Sequence, residues 1–190
     1  MYFAPDGHLV TGQESIGNTF YYADSNGIIQ GVYNNAVVIC QRPQLPTGCE
    51  ITAVTMMLKF AGYNVNKITL AEEMPRSNNP NKGFVGNPFS ATGWWIYPHG
   101  IASVINHYIG YSDIMTGCSL NQIKEKLLHG HLVVVWVANF DGFVNHALAL
   151  TGYRKNILYY NDPWLGCKDN MTINQFYQHW NADDQRAISY

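Results

Sequence analysis

A chain of 190 residues is long enough for one domain with a real core and leaves room for a small appendage. Apolar residues make up 47% and charged residues 13%, with a net charge of −2, which excludes a disordered chain and any basic face for nucleic acid or anionic membrane. No apolar run approaches the ~20 residues of a membrane span, and the first residues lack the basic and apolar regions of a signal peptide. That leaves a cytoplasmic protein or a piece of a longer precursor.

Residues 1–33 repeat with a period of 20: Tyr2 matches Tyr22, Asp6 matches Asn26, Gly7 matches Gly27 and Leu9 matches Ile29. Each unit reads as an aromatic pair, an Asp-Gly or Asn-Gly turn and an apolar pair, which is β-hairpin chemistry. A lone hairpin is unstable, so these units must stack on neighbours. Asn34 and Asn35 form a short linker. The chain therefore divides into a repeat segment, 1–35, and a main domain, 36–190, expected to fold by itself.

In the main domain, residues 36–40 are a β-branched run suited to a strand. The loop 41–48 follows, punctuated by Pro43, Pro46 and Gly48. Cys49 then opens a segment in which Val54, Met57, Leu58 and Ala61 form one stripe and Gly62 is the stop, predicting a helix. Thr69 and Glu72 read as a capping box for a short helix ended by Pro75. Residues 76–98 are irregular, rich in Asn, Gly and Pro, and carry Phe84, Phe89, Trp94 and Trp95; loops of this length are usually functional. Ile101, Val104, Ile105 and Tyr108 mark a further helix, and Ser119 with Gln122 caps another that stops at Gly130. Strands are expected over 132–138, 145–153 and 156–161, then a helix capped by Thr172 and Gln175, then a closing strand over 187–190. Helices first and strands later make an α+β domain with a mostly antiparallel sheet.

The chemistry-bearing residues are few. Cys49 falls in the first turn of its predicted helix, where unpaired N–H groups and the helix dipole favour thiolate, so a lowered pKa is expected. A thiolate is a nucleophile, and the same N–H groups can bind an oxyanion. The four cysteines, Cys40, Cys49, Cys118 and Cys167, show neither CxxC nor zinc spacing, so no metal or cofactor is expected. Among seven histidines, His146 stands apart at the entrance of a strand. Asp162 ends the next strand, ahead of Pro163, where a carboxylate can orient that imidazole.

The string Gln-x-Pro-x-Leu-Pro-Thr-Gly-Cys-Glu over 41–50, with Asn-His-Ala-Leu-x-x-Thr-Gly-Tyr and Asn-Asp-Pro downstream, resembles the papain-like cysteine peptidases of family thirty-nine. That group includes the bacteriocin leader peptidases that cleave after double glycine. The resemblance covers about residues 36–190 and implies a papain-like fold with Cys49 as nucleophile, His146 as general base and Asp162 as its orienter. It also implies an upstream Gln as oxyanion donor. Gln44 is nearer to Cys49, but Gln41 follows the expected strand and holds the family's Gln position, so Gln41 is the expected donor. Trp94 and Trp95 are the expected substrate wall. Glu50 departs from the transporter-linked members, which usually carry Gly or Ala after the nucleophile, and fits the free-standing, secreted branch.

The repeats over 1–33 resemble the choline- or glucan-binding cell-wall repeats of secreted Gram-positive proteins. They imply a secreted, wall-associated protein, part of a longer precursor, with a wall polymer as partner. Two functions follow from the resemblance. One is a thiol hydrolase of a peptide or protein substrate; the other is a non-catalytic papain-like module that binds peptide or glycan. They part on Cys49, because a binding module has no use for an ionised thiol.

Overall fold

A computed structural model describes residues 2–190. The chain begins with strands β1 (Gly12–Ile16), β2 (Thr19–Ala23) and β3 (Ile29–Asn34), followed by helices α1 (Cys49–Phe60), α2 (Lys67–Glu73) and α3 (Pro98–Ile109). Then come β4 (Asp113–Ile114), α4 (Leu120–Leu128), β5 (Val133–Val137), β6 (His146–Arg154), β7 (Ile157–Asp162), β8 (Cys167–Thr172), α5 (Ile173–Asn181) and β9 (Ala187–Ser189). All described strands join one nine-stranded antiparallel sheet, so the class is α+β, as expected.

The sheet is covered on both faces. In β5 every residue is buried, and the side chains alternate between two cores as a pleated strand requires. Val134 and Trp136 join Ala147 and Ala149 of β6 under α1, α2 and α3. Val133, Val135 and Val137 join Leu148 and Leu150 under α4 and α5. α1 is covered almost all round, being buried from Cys49 to Leu58. It is therefore the central helix of its layer rather than a one-faced surface helix.

The N-terminal strands form a meander that continues the sheet. Asn26 and Gly27 make the turn between β2 and β3, with Gly27 at φ +73, as the hairpin chemistry requires. At residue 35 the sheet does not break. Gly31, Val32 and Tyr33 of β3 pair with Arg154, Tyr153 and Gly152 of β6, and a Cβ on Gly31 would lie 2.5 Å from the Tyr153 carbonyl oxygen. Only glycine permits that approach.

Several expected elements are displaced. Residues 36–40 form no strand; their backbone is held by side chains instead, Val37 O accepting from Asn161 Nδ2 at 3.1 Å and Ile39 N–H donating to Met56 Sδ at 3.2 Å. The second helix starts earlier than its expected box, because Asn66 Oδ1 caps it through the Ile68 and Thr69 N–H groups. β8 departs from the expected elements: its polar sequence, Cys-Lys-Asp-Asn-Met-Thr, pairs with β7 alone and is exposed over Lys168–Asn170, only Met171 being buried in the core under α4 and α5. The capping boxes at Ser119–Gln122 and Thr172–Gln175 form with both reciprocal bonds.

Candidate active site

Cys49 is the first residue of α1. The helix entry is tight: a Cβ on Gly48 would lie 2.8 Å from Leu45 Cβ. The Cys49 side chain is buried, and Sγ donates to Glu50 Oε2 at 3.3 Å. The expected lowering of its pKa is not found. Burial, and after it the charge of Glu50, push the thiol well above its ordinary value, against the pull of the Ala147 and Glu50 backbone N–H groups. The reason lies in relative size. A helix terminus is worth ~0.3–1 kcal/mol, whereas withdrawing an ion from water costs several kcal/mol.

His146 opens β6 and is 1% exposed; Asp162 closes β7 and is also 1% exposed. Nε2 of His146 lies 3.0 Å from Asp162 Oδ1, which also accepts the Trp164 and Leu165 N–H groups at 2.6 and 3.2 Å. Burial would raise the carboxyl, but the His146 bond and charge and those two amides outweigh it and hold Asp162 below its ordinary value. Phe143 stacks on the imidazole at 5.3 Å and Phe140 lies at 6.2 Å, nearly parallel. The ring is thus held by a carboxylate at one edge and by aromatic faces. Among the described residues its Nδ1 makes no hydrogen bond.

Gln41 is 2% exposed. Its Nε2 donates to Leu45 O and Pro46 O at 3.1 Å each, so in the resting site its donors clamp the loop before Cys49. Gln44 is exposed and accepts from Lys67 Nζ at 2.9 Å, away from this clamp. A cavity of about 230 Å³ brings Gln41, Cys49 and His146 together, walled by Trp94 and Trp95 on one side and by Phe143, Val144 and Trp164 on another. Trp94 is 59% exposed and meets Trp95 edge-on at 5.0 Å. Their loop is seated by Thr47 Oγ1, which donates to Ser90 O at 2.9 Å.

A larger cavity of about 650 Å³ lies between β4 and α4 and contains Cys118, Lys126 and His131. It holds no oriented nucleophile and base. Burial and the charge of Asp113 push Cys118 up to about 11, and burial pushes His131 down. The smaller cavity is therefore the chemical one. Its residues Phe143, Val144 and Trp164 lie outside the site expected from sequence, whereas Asn145 opens the Asn-His motif; aromatics shortly before His146 and after Asp162-Pro163 are the available signal.

Residues 33–188 match the Peptidase_C39 like family. The uncharacterized protein YvpB of Bacillus subtilis (strain 168) is 31% identical over 176 residues, spanning 77% of this chain and 70% of that protein. The crystal structure of a Bacillus anthracis protein described as C39-like peptidase superposes with a TM-score of 0.77 at 28% identity. That match covers 82% of this chain and 94% of the other.

Proposed function

Because the chain belongs to the Peptidase_C39-like family, we propose that it is a thiol hydrolase that cleaves a peptide or amide bond. The observation that carries this reading is the buried His146–Asp162 pair, 3.0 Å apart, whose imidazole lines the same cavity as Cys49. Cys49 Sγ attacks the carbonyl as His146, oriented by Asp162, takes the thiol proton; His146 then passes that proton to the leaving amine and activates water, which displaces the thiol from the thioester. The Cys49 N–H and the Gln41 amide bind the oxyanion once substrate displaces the amide from its loop carbonyls, each donor contributing roughly 3 kcal/mol. Trp94 and Trp95 flank the acyl chain.

The repeat pattern over 1–33 supports a secreted enzyme held at the cell wall of a Gram-positive bacterium, acting on a surface peptide. Wall binding is tested by cosedimentation of the chain with purified wall polymer. The neutral, buried thiol favours a second reading, a peptide-binding module without turnover. The two are separated by incubating the protein and Cys49→Ala with a peptide library and reading new termini by mass spectrometry. New termini that require Cys49 support the hydrolase. Binding without any cleavage would sink it.

A further inference from the structure

Part of the sheet face that carries Ala147 and Ala149 is left bare. The core under α1, α2 and α3 takes side chains from β5, β6 and β9, but none from β2, β3, β7 or β8 among the described residues. Register sets Tyr22, Tyr33, Tyr159 and Asn170 on that face: Tyr22 pairs with Gly31, Tyr33 with Gly152, Gly152 with Tyr159, and Tyr159 with Asn170. No side chain can stand on the floor between them, since a Cβ on Gly152 would lie 2.2 Å from the Val32 carbonyl oxygen and Gly31 is equally closed. Tyr33 and Tyr159 meet edge-on at 5.6 Å over this floor, and the tyrosines with Lys168 wall a cavity of about 290 Å³. The row from Tyr22 to Asn170 crosses five strands, about 19 Å at the usual strand spacing.

The chemistry of this groove is one-sided. Arg154 lies 4.2 Å over the Tyr22 ring and Lys168 lies 5.7 Å over the Tyr33 ring. Neither is ion-paired to a carboxylate among the described residues, and Lys168 Nζ donates to Asn35 Oδ1 at 2.7 Å. Asp169, the one acid at the cavity, pairs with Tyr160 and alternates onto the opposite face. In a chain of net charge −2, the groove thus presents two unneutralised cations beside three phenol hydroxyls. The cations also cover the ring faces on which a nucleic-acid base or a sugar ring would stack. Apart from β8, each strand along the row is paired on both sides, so an extended peptide finds no free backbone to pair with. A flexible, hydroxyl-rich polyanion meets all three conditions.

We propose that this groove binds a polyol-phosphate polymer of the cell wall. Its phosphates meet Arg154 and Lys168 in charge-assisted hydrogen bonds, and the phenols of Tyr22, Tyr33 and Tyr159 bond the polyol hydroxyls between them. The proposal rests on the wall-association reading above. It makes the contact a joint property of the N-terminal meander and the main domain, because Arg154, Tyr159 and Lys168 lie in β6, β7 and β8.

The test titrates the full chain with a poly(glycerol phosphate) oligomer, followed by calorimetry, against Arg154→Gln, Lys168→Gln and the double variant. Both side chains are exposed, so neither change disturbs the core. Wild-type binding should weaken as salt rises, each single variant should bind roughly tenfold more weakly, and the double variant more weakly still. Absent wild-type binding, or undiminished binding by the double variant, overturns the proposal. So does binding of dextran, poly-glutamate or single-stranded oligothymidylate that equals binding of the oligomer. Cosedimentation with whole walls, and with walls stripped of phosphodiester-linked polymers by hydrofluoric acid, separates the groove from the reading it rests on. Loss of cosedimentation on stripping supports the groove. Cosedimentation that survives stripping overturns it and leaves wall association standing, whereas no cosedimentation with either wall sinks both.

Discussion

The backbone N–H of Gln41 donates to the Pro163 carbonyl at 2.7 Å, stitching the loop that enters the nucleophile's helix to the turn that leaves Asp162. Arg42 reinforces the seam, its guanidinium lying 4.1 Å over the Trp164 ring and donating to the Trp164 carbonyl at 3.0 Å. Trp164 meets Phe143 edge-on at 5.0 Å, and Phe143 in turn covers the imidazole. Trp164→Ala is expected to lower kcat/KM by roughly a hundredfold, because small misplacements of reacting groups cost that much. Trp164→Phe should restore most of it. An unchanged kcat/KM for the alanine variant would show that the seam positions nothing.

Asp162 carries both orientation and acid stability. Asp162→Ala should cost about a hundredfold or more in turnover, while Asp162→Asn loses less, since an amide oxygen can still accept from the same N–H groups. The folded pKa of Asp162 lies below its ordinary value, so its stabilisation is present above about pH 4 and fades as pH falls through the lower folded value. Unfolding midpoints measured over that range should fall with acid in the wild type and fall less in Asp162→Asn.

Glu50 has the opposite sign. Its folded value of about 7 exceeds the ordinary 4.5, so the folded chain holds a proton that the unfolded chain has released between those values. The Glu50 contribution to stability is highest below pH 4.5, falls on the way to 7, and stays level above that. At ~1.4 kcal/mol per unit the fall is on the order of 3 kcal/mol. Denaturant melts of Glu50→Gln should be nearly flat across the same interval; a parallel slope in both proteins would assign the fall to another group.

Gln41 and Gln44 should separate cleanly. Gln41→Ala loses the clamp on Leu45 and Pro46 as well as an oxyanion donor, so both the melting temperature and the acylation rate should drop, the rate by about a hundredfold. Gln44→Ala loses only an exposed bond to Lys67 and should change neither. A rate loss confined to Gln44→Ala would reverse the assignment.

Removal of residues 1–34 tests how far the main domain stands alone. The sequence reading expects 36–190 to fold by itself, but β3 covers the end of β6, and Asn34 Nδ2 donates to the Leu127 carbonyl at 2.9 Å. Tyr21 and Val32 are also part of the core under α4 and α5. The truncated chain is expected to melt about 10 °C lower, as a loss of a few kcal/mol implies for this size. An unchanged melting temperature would establish the boundary at 35.

Where the code is local, the sequence was enough. The reciprocal Ser119–Gln122 and Thr172–Gln175 caps, the Asn26-Gly27 turn and the α1 stripe from Val54 to Leu58 are written in neighbouring residues. So is the order of Cys49, His146 and Asp162, because a strand ending in Asp-Pro beside a strand opening in His leaves few topologies. The missing strand over 36–40 and the Arg42–Trp164 seam answer to partners more than 100 residues away, Asn161 bonding Val37 across 124 positions, and the polar strand β8 answers to its pairing with β7. The proton state of Cys49 was the least legible property. Its helix position favours the anion, but burial beside Glu50 opposes it, and the depth of a side chain is decided only when the two cores close over α1.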